Sequence, residues 1–444
     1  MTFIRMIYFI NYWLISSRTN ATRYRQSNKM HVYTLLSILP FVLVVQCGVW
    51  DFISDLMTTG VTFIPEDAKL NIQELANKYG YDLVNHTVTT DDGYIIKMHR
   101  MPPRKTGTNK LAVLLMHGLL ESSDCWLLQG PNKSLAYVLA DEGFDVWMGN
   151  ARGNKHSIEH KTLDYTSVDY WKFTWEEIGL YDLPAMIDYI LQTTGKQSLY
   201  YIGHSQGTTI GYVLLSMKPE YNDKIKIMFS LAPEAWMGNV KNVIIKLFSP
   251  AIHILGSLLY DINTYSSGTA VLNKLSSFLC HWLPSSCDNI FYAMEGYDSK
   301  INQTLLPVIF GHMPTGSSAL QFIHYGQLVN SKRFCRYDHG YNANMELYGQ
   351  GTPPDYNLSK ITVPNVIYYS GQDMLSDPYD VDILKSRLPF VFSNVYLSGY
   401  THMAYTYAAE AYNDIYLRVI AIINKFDSAR NNSVPKLGLG YLRN

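Results

Sequence analysis

The run Gly203-His204-Ser205-Gln206-Gly207 stands between an apolar, strand-like stretch and a helical pattern. It fits G-x-S-x-G, which by itself occurs by accident in about one chain in seven of this length, so a glycine-rich turn with an idle serine is the alternative. The position favours function, because a strand-to-helix turn exposes the serine and the helix start aims amides at developing negative charge. The run predicts a nucleophile elbow with Ser205 as the nucleophile, in which Gly203 and Gly207 leave room where strand and helix cross.

Strand-like and helix-like segments alternate on both sides of this turn. Short apolar runs, typical of strands buried on both faces of a parallel sheet, lie at 111–116, 144–148, 198–202, 225–231, 366–369 and 391–397. Helical patterns lie at 134–142, 180–191, 208–216 and 408–424. This alternation predicts an α/β fold of the α/β-hydrolase type, with a mostly parallel central sheet flanked by helices.

The alternation stops between residues 235 and 361, where irregular apolar clusters and many Gly, Pro and Ser residues appear. An insertion of this length between two sheet strands predicts a cap or lid domain over the sheet edge. The hydrolase core is then expected to comprise residues 62–234 and 362–426. The last residues, 427–444, are polar and are predicted to form a loose tail.

A serine hydroxyl needs a base to take its proton, and the base needs an acid to hold it in the correct tautomer. In this kind of fold the three follow in the order Ser, Asp or Glu, His. Asp373 comes directly after the strand at 366–369, and His402 comes after the strand at 391–397. Both therefore lie at carboxyl ends of strands, where open α/β sheets place their sites. We predict Ser205, Asp373 and His402 as a catalytic triad.

Other residues compete for the roles of acid and base. Asp377 is the rival acid, but it directly precedes a proline and its position is more typical of a helix N-cap. His324 and His339 are rival bases, but both lie in the inserted segment. Order and position therefore favour His402.

The segment His117-Gly118-Leu119-Leu120 directly follows the strand at 111–116. An oxyanion hole in this fold takes one backbone amide from that loop and the other from the residue after the nucleophile. The predicted donors are the backbone N–H groups of Leu119 and Gln206. His117 precedes the nucleophile in the chain, so we expect it to brace the loop and not to act as the base.

A leader is predicted over residues 1–48. Basic residues precede Met30, an uncharged stretch runs from 31 to 50, and small residues stand at Cys47 and Gly48. This order is typical of a secretory signal peptide and makes Met30 a candidate natural start. The alternative is a membrane anchor, since the stretch approaches the roughly 20 residues that span a bilayer. Its dense apolar centre is too short to span, which favours the signal peptide and a mature form without a stable membrane span.

Cysteines and glycosylation motifs agree with export. Removing the leader leaves an even number of cysteines, and Cys280 and Cys287 are the best disulfide pair because they close a short loop. Candidate N-glycosylation sites lie at Asn85, Asn132, Asn302, Asn357 and Asn431. We expect the secretory pathway, with the protein in the lysosomal lumen or outside the cell.

The chain resembles the acid lipases, the group of gastric lipase and lysosomal acid lipase. The resemblance extends from about residue 63 to 426 and is carried by the stretches 117–120, 132–136, 143–147, 149–153, 181–185, 203–209 and 231–233. It implies hydrolysis of triacylglycerols or cholesteryl esters at acidic pH, with a lid in the cap and no cofactor or metal. It also implies the same triad and the same two oxyanion amides.

One departure from that family lies beside the predicted base. Its members usually carry His-Leu-Asp-Phe, whereas this chain has His402-Met-Ala-Tyr405, with Ala404 in place of the carboxylate. The triad is intact, so the chemistry should survive, and the departure is expected to affect the local support of His402 and the response to pH.

Composition and charge narrow the partners. The 444 residues are 47% hydrophobic and 16% charged, which is enough for a large buried core. A formal net charge of −1 offers no basic face for nucleic acid. The expected partner is a lipid ester at an aggregate or droplet interface. An esterase for small soluble esters and a catalytically silent lipid-binding relative are the alternatives.

Overall fold

A nine-stranded sheet organises the described part of the chain. The computed structural model describes residues 65–431, apart from 106, 108–109, 243–244, 247–248 and 252–299. The strands are β1 (Val84–Thr89), β2 (Tyr94–Met101), β3 (Ala112–Met116), β4 (Asp145–Met148), β5 (Glu159–His160), β6 (Leu199–His204), β7 (Ile225–Leu231), β8 (Asn365–Tyr369) and β9 (Val391–Tyr396). Their order is β1-β2-β4-β3-β6-β7-β8-β9, and β5 pairs with β2.

The strands from β4 to β9 along this order are parallel. Every residue of β3 and β6 is buried, as expected of strands covered on both faces. The register aligns their carboxyl ends, since Met116 lies opposite Gly203 and His204 lies opposite Leu231. The loops that follow these strands therefore emerge at the same edge of the sheet.

Helices fill the connections between the strands. The described α-helices of four or more residues are α1 (Ile72–Lys78), α2 (Leu135–Asp141), α3 (Leu183–Thr194), α4 (Gln206–Met217), α5 (Leu306–His312), α6 (Ala319–Ser331), α7 (Tyr341–Tyr348), α8 (Pro378–Arg387), α9 (Ala404–Tyr407) and α10 (Leu417–Asn431). A single further α-helical turn spans Trp175–Glu177. The mostly parallel sheet with flanking helices confirms the predicted α/β-hydrolase fold.

The structure differs from the sequence-based expectations at several elements. The antiparallel strands β1 and β2 were not predicted. The helix expected at 408–424 is displaced, because a π-helical segment, Tyr412–Tyr416, precedes α10 and α10 continues to Asn431. The expected tail at 427–444 therefore begins inside a helix, and residues 432–444 lie outside the described residues.

Part of the predicted cap is described, and it contacts the core near the elbow. Thr315 donates its hydroxyl to the Glu121 carbonyl (2.6 Å) and its amide to the Leu120 carbonyl (2.7 Å). From α6, the Tyr325 hydroxyl lies 3.0 Å from Thr209 Oγ1 of α4. The leader, Cys280 and Cys287 lie outside the described residues. Within the described ranges, no helix is both long and apolar enough to cross a membrane.

Candidate active site

Ser205 lies at the sharp turn between β6 and α4. Its backbone has φ 53° and ψ −122°, a conformation that side chains rarely adopt and that costs backbone energy. The turn is held in place by the Ser205 amide, which donates to the Leu231 carbonyl of β7 at 3.0 Å. A strained serine at this position is the geometry of a nucleophile elbow.

The glycines on both sides of Ser205 have a steric reason. A Cβ atom at Gly203 would lie 2.6 Å from the backbone of Gly207, and one at Gly207 would lie 2.2 Å from the Met116 carbonyl oxygen. These neighbours are backbone atoms, which cannot move aside as a flexible side chain can. The elbow helix therefore packs directly on the end of β3, and this brings the loop after β3 to Ser205.

We expect Gly207→Ala to lower the free energy of unfolding by about 3 kcal/mol or more, because the new methyl group overlaps the Met116 carbonyl. Gly211→Ala is the matched control on the same helix. There the nearest atom is the flexible end of the Met228 side chain, at 2.7 Å, so its effect should stay within about 1 kcal/mol. Denaturant unfolding of both variants measures the difference. Equal midpoints would show that the turn tolerates bulk at Gly207.

The three predicted triad residues are in contact. His402 Nε2 lies 2.7 Å from Ser205 Oγ, and His402 Nδ1 lies 3.0 Å from each carboxylate oxygen of Asp373. These partners assign the proton of the neutral ring to Nδ1, which donates to Asp373 and leaves Nε2 free to accept from Ser205. All three are buried, with 5% of Ser205, 3% of His402 and none of Asp373 exposed.

Asp373 is oriented by the turn after β8. Its Oδ1 accepts from the amides of Leu375 (2.8 Å) and Ser376 (2.9 Å), which fix the orientation of the carboxyl group. The rival Asp377 does not face His402. It caps α8 by accepting from the Tyr379 amide (2.8 Å), and it pairs with Lys241 at 2.8 Å.

The rival histidines are held elsewhere. His324 is buried and stacks on Trp175 with ring centroids 3.8 Å apart, and burial lowers its pKa to about 3. His339, whose pKa is also lowered by burial, lies beside Tyr337 with the ring centroids 4.8 Å apart.

The loop after β3 lies against Ser205. A methyl group added at Gly118 would approach Ser205 Cβ to 3.1 Å. His117 braces this loop, because its Nδ1 donates to the Gly118 carbonyl (2.7 Å) and its Nε2 accepts from the Ala151 amide (3.1 Å). Burial lowers the pKa of His117, in agreement with a neutral ring. The predicted donor Leu119 is the next residue, and Gln206 provides the first amide of α4, which has no carbonyl partner within the helix.

Glu121 and His204, which were not predicted, connect the loop after β3 to the main chain of His402. Glu121 Oε2 accepts from the Gly118 amide (2.9 Å) and lies 3.3 Å from His204 Nδ1, while His204 Nε2 donates to the His402 carbonyl (2.8 Å). Both ring nitrogens of His204 thus face oxygen acceptors. Burial by itself would raise the pKa of Glu121, but the hydrogen bond with His204 brings it below its usual value.

Glu121 and His204 support His402 in place of the carboxylate that is missing at Ala404. Ala404 is fully buried and begins α9 without bringing a carboxylate to His402. His204 instead holds the main chain of His402 directly, and the Tyr407 hydroxyl donates to Glu121 Oε1 at 3.0 Å. The only sequence signal for this support was the position of Glu121 directly after the His117–Leu120 segment. That position could not be interpreted before the fold showed His204 beside both Glu121 and His402.

A further carboxyl group, Glu234, lies at the site and was also not predicted. It follows the carboxyl end of β7 by three residues, is 4% exposed, and places Oε1 3.5 Å from His402 Nε2. Burial raises its pKa. Asp373 was selected because it is an acid just after a parallel strand. Glu234 also follows a parallel strand, so the same rule could have found it.

The cysteines and glycosylation motifs that the structure describes lie away from this chemistry. Cys125 and Cys335 are buried and unpaired, and burial raises the pKa of both thiols. The sequon asparagines whose side chains are described are exposed, namely Asn85, Asn132, Asn302 and Asn357. The side chain of Asn431 is not described.

Comparison with known proteins places this geometry in a family. A model described as a partial alpha/beta-hydrolase lipase region matches residues 72–130, and a model of the alpha/beta hydrolase fold matches residues 112–405. Lipase 1 of Drosophila melanogaster is 40% identical over 368 residues, which are 82% of this chain and 81% of that protein.

Two mammalian relatives match over most of their length. Gastric triacylglycerol lipase of Bos taurus is 36% identical over 365 residues, which are 80% of this chain and 92% of the relative. Lysosomal acid lipase/cholesteryl ester hydrolase of Homo sapiens is 34% identical over 392 residues, which are 86% of this chain and 98% of the relative. The chain therefore belongs to the α/β-hydrolase family and, within it, to the acid lipases, and it is a carboxylic ester hydrolase of that group.

Proposed function

We propose that the protein hydrolyses ester bonds of neutral lipids, triacylglycerols or cholesteryl esters, through an acyl-enzyme on Ser205. The observation that carries the proposal is the chain of contacts from Ser205 Oγ to His402 Nε2 (2.7 Å) and from His402 Nδ1 to Asp373 (3.0 Å). This is the geometry in which an imidazole takes the serine proton while a carboxylate holds its tautomer.

In the first half of the reaction, Ser205 Oγ attacks the ester carbonyl carbon and its proton passes to His402 Nε2. The carbonyl electron pair moves to oxygen, where the amides of Leu119 and Gln206 stabilise the negative charge. The intermediate collapses, the C–O bond to the alcohol breaks, and the alcohol oxygen takes the proton from Nε2. In the second half, water repeats this sequence on the acyl-enzyme, releasing the fatty acid and restoring the Ser205 hydroxyl.

The substrate class rests on the relatives and on burial. Relatives of the whole core are named for triacylglycerol and cholesteryl ester hydrolysis. Ser205 is almost fully buried, so a bulky ester needs a cover that moves, and residues 235–361 are proposed as that cap. Such a cover suits a substrate presented at an aggregate or droplet surface. The proposal includes activity at acidic pH and a location in the secretory pathway, either lysosomal or extracellular.

A hydrolysis panel tests the substrate class. Triolein emulsion, cholesteryl oleate and a soluble short-chain ester are assayed from pH 4 to 8, together with labelling by a fluorophosphonate probe. We expect labelling, with activity on at least one neutral lipid that rises sharply above the solubility limit. Hydrolysis of the soluble ester without any of the lipid would establish a small-ester hydrolase instead. Absence of both labelling and hydrolysis would establish a catalytically silent relative.

A further inference from the structure

Glu234 is a buried carboxyl group that the Ser-His-Asp mechanism leaves without a role. Its backbone is held between the nucleophile and the acid of the triad. The Glu234 amide donates to Thr208 Oγ1 (3.1 Å), and its carbonyl accepts from Thr209 Oγ1 (2.6 Å), both in the first turn of α4. The preceding Pro233 carbonyl accepts from Ser376 Oγ (2.7 Å), in the turn that carries Asp373. The side chain is therefore placed by the same two elements that place the triad.

The carboxyl group faces the reacting side of the base. Glu234 Oε1 lies 3.5 Å from His402 Nε2, the nitrogen that takes the serine proton, whereas Asp373 contacts the opposite nitrogen. The other polar and titratable groups that act on it are Ser205, Asp373, His204 and, from α6, Tyr325. Among these neighbours only the two histidines can carry a positive charge, and His402 does the most to favour the ionised carboxylate.

Burying the carboxyl group of Glu234 beside His402 costs free energy unless the group is hydrogen-bonded or paired with a charge. Burial raises the pKa of Glu234, and the nearby negative charge of Asp373 adds to this shift, while His402 opposes it. Glu234 therefore keeps its proton to a higher pH than an exposed glutamate does. Its neutral form suits the resting site, and its ionised form suits a site that contains an imidazolium.

We propose that Glu234 is a positioning residue that acts through His402, as a second carboxyl partner of Nε2, and that it sets the pH below which His402 stops accepting the Ser205 proton. This inference rests on the proposed function, because it requires His402 to be the base for Ser205.

The direction of the effect follows from charge. An ionised Glu234 attracts the imidazolium form of His402, and at 3.5 Å this attraction is substantial even at an effective dielectric constant of about 20. As pH falls, the two groups take up protons as a coupled pair, and an ionised Glu234 favours protonation of His402. Protonated His402 cannot take the proton of Ser205. Removing the charge of Glu234 therefore extends the activity of the base to lower pH.

The test is the acidic limb of the pH profile in Glu234→Gln, which keeps the shape of the side chain and removes its charge. We expect the limb of kcat/KM on a soluble p-nitrophenyl ester to move to lower pH by about one unit. The rate of labelling by a fluorophosphonate, measured from pH 4 to 8, should show the same movement without dependence on lipid binding. An acidic limb that coincides with that of the parent protein would overturn the inference.

Glu177→Gln is the matched control. It makes the same change at a partly buried glutamate whose carboxylate accepts from the Thr174 amide and hydroxyl in a capping box, where glutamine also functions. Its acidic limb should coincide with that of the parent. Glu234→Asp provides the test if Glu234→Gln does not fold, since it withdraws the charge by one methylene. It should move the limb in the same direction by a smaller amount, and an unmoved limb would count against the inference.

Labelling at Ser205 separates the two proposals. If the parent protein is not labelled at Ser205, the proposed function fails and this inference fails with it. If Ser205 is labelled and the acidic limb of Glu234→Gln is unchanged, only the role of Glu234 fails, and the residue is then a structural partner of Tyr325.

Discussion

Replacing Ser205 with alanine is expected to lower kcat for ester hydrolysis by roughly a million-fold, the scale seen when the nucleophile of a serine hydrolase is removed. The hydroxyl is the only group lost, and its oxygen is the atom that lies 2.7 Å from His402 Nε2. Without it no acyl-enzyme forms. The residual rate over water would come from substrate binding and the oxyanion amides alone.

The fold should survive this change, because alanine keeps the Cβ atom and removes one small polar group. Ser216→Ala is the matched control, since Ser216 is a buried serine on the same helix whose hydroxyl donates to the Val213 carbonyl (3.1 Å). We expect it to retain activity. Single-turnover kinetics and thermal unfolding of both variants make the comparison. Activity of Ser205→Ala near the parent level would remove Ser205 from the mechanism.

Asp373→Asn is expected to lower kcat by about ten-thousand-fold. The carboxylate now accepts the His402 Nδ1 proton with both oxygens 3.0 Å away. The amides of Leu375 and Ser376 donate to Oδ1, so the oxygen of an asparagine would stay with them and its NH₂ group would face His402. That group favours the tautomer with the proton on Nε2, in which His402 cannot accept from Ser205.

Asp377→Asn separates the two acids that the sequence left in competition. Asparagine caps helices as well as aspartate does, so the bond from the Tyr379 amide should persist, and only the charge pair with the half-exposed Lys241 is lost. We expect kcat within a factor of about three of the parent. Steady-state kinetics on a soluble ester decides between the acids. A larger loss in Asp377→Asn than in Asp373→Asn would make the assignment of the acid wrong.

Much of the fold was predictable because its signals are local. The buried strands β3, β6 and β7 are largely apolar runs. The turn around Ser205 needs the two glycines Gly203 and Gly207 because β6 and α4 cross there. The order of nucleophile, acid and base then follows from where parallel strands end. By contrast, strands β1 and β2 give no such local signal. They are held by pairing, β1 with β2 and β2 with β4, and pairing depends on residues elsewhere in the chain.

The sequence by itself determined the α/β class, the elbow and the three residues to consider for the triad, because each depends on a short stretch of chain and on its place after a strand. Only the tertiary structure decided what surrounds them. His204 reaches Glu121 across 83 positions and the His402 carbonyl across 198, and Glu234 meets His402 from another strand. Such contacts carry no local pattern, since a buried charge acquires its partner and its pKa only when the chain has closed around it.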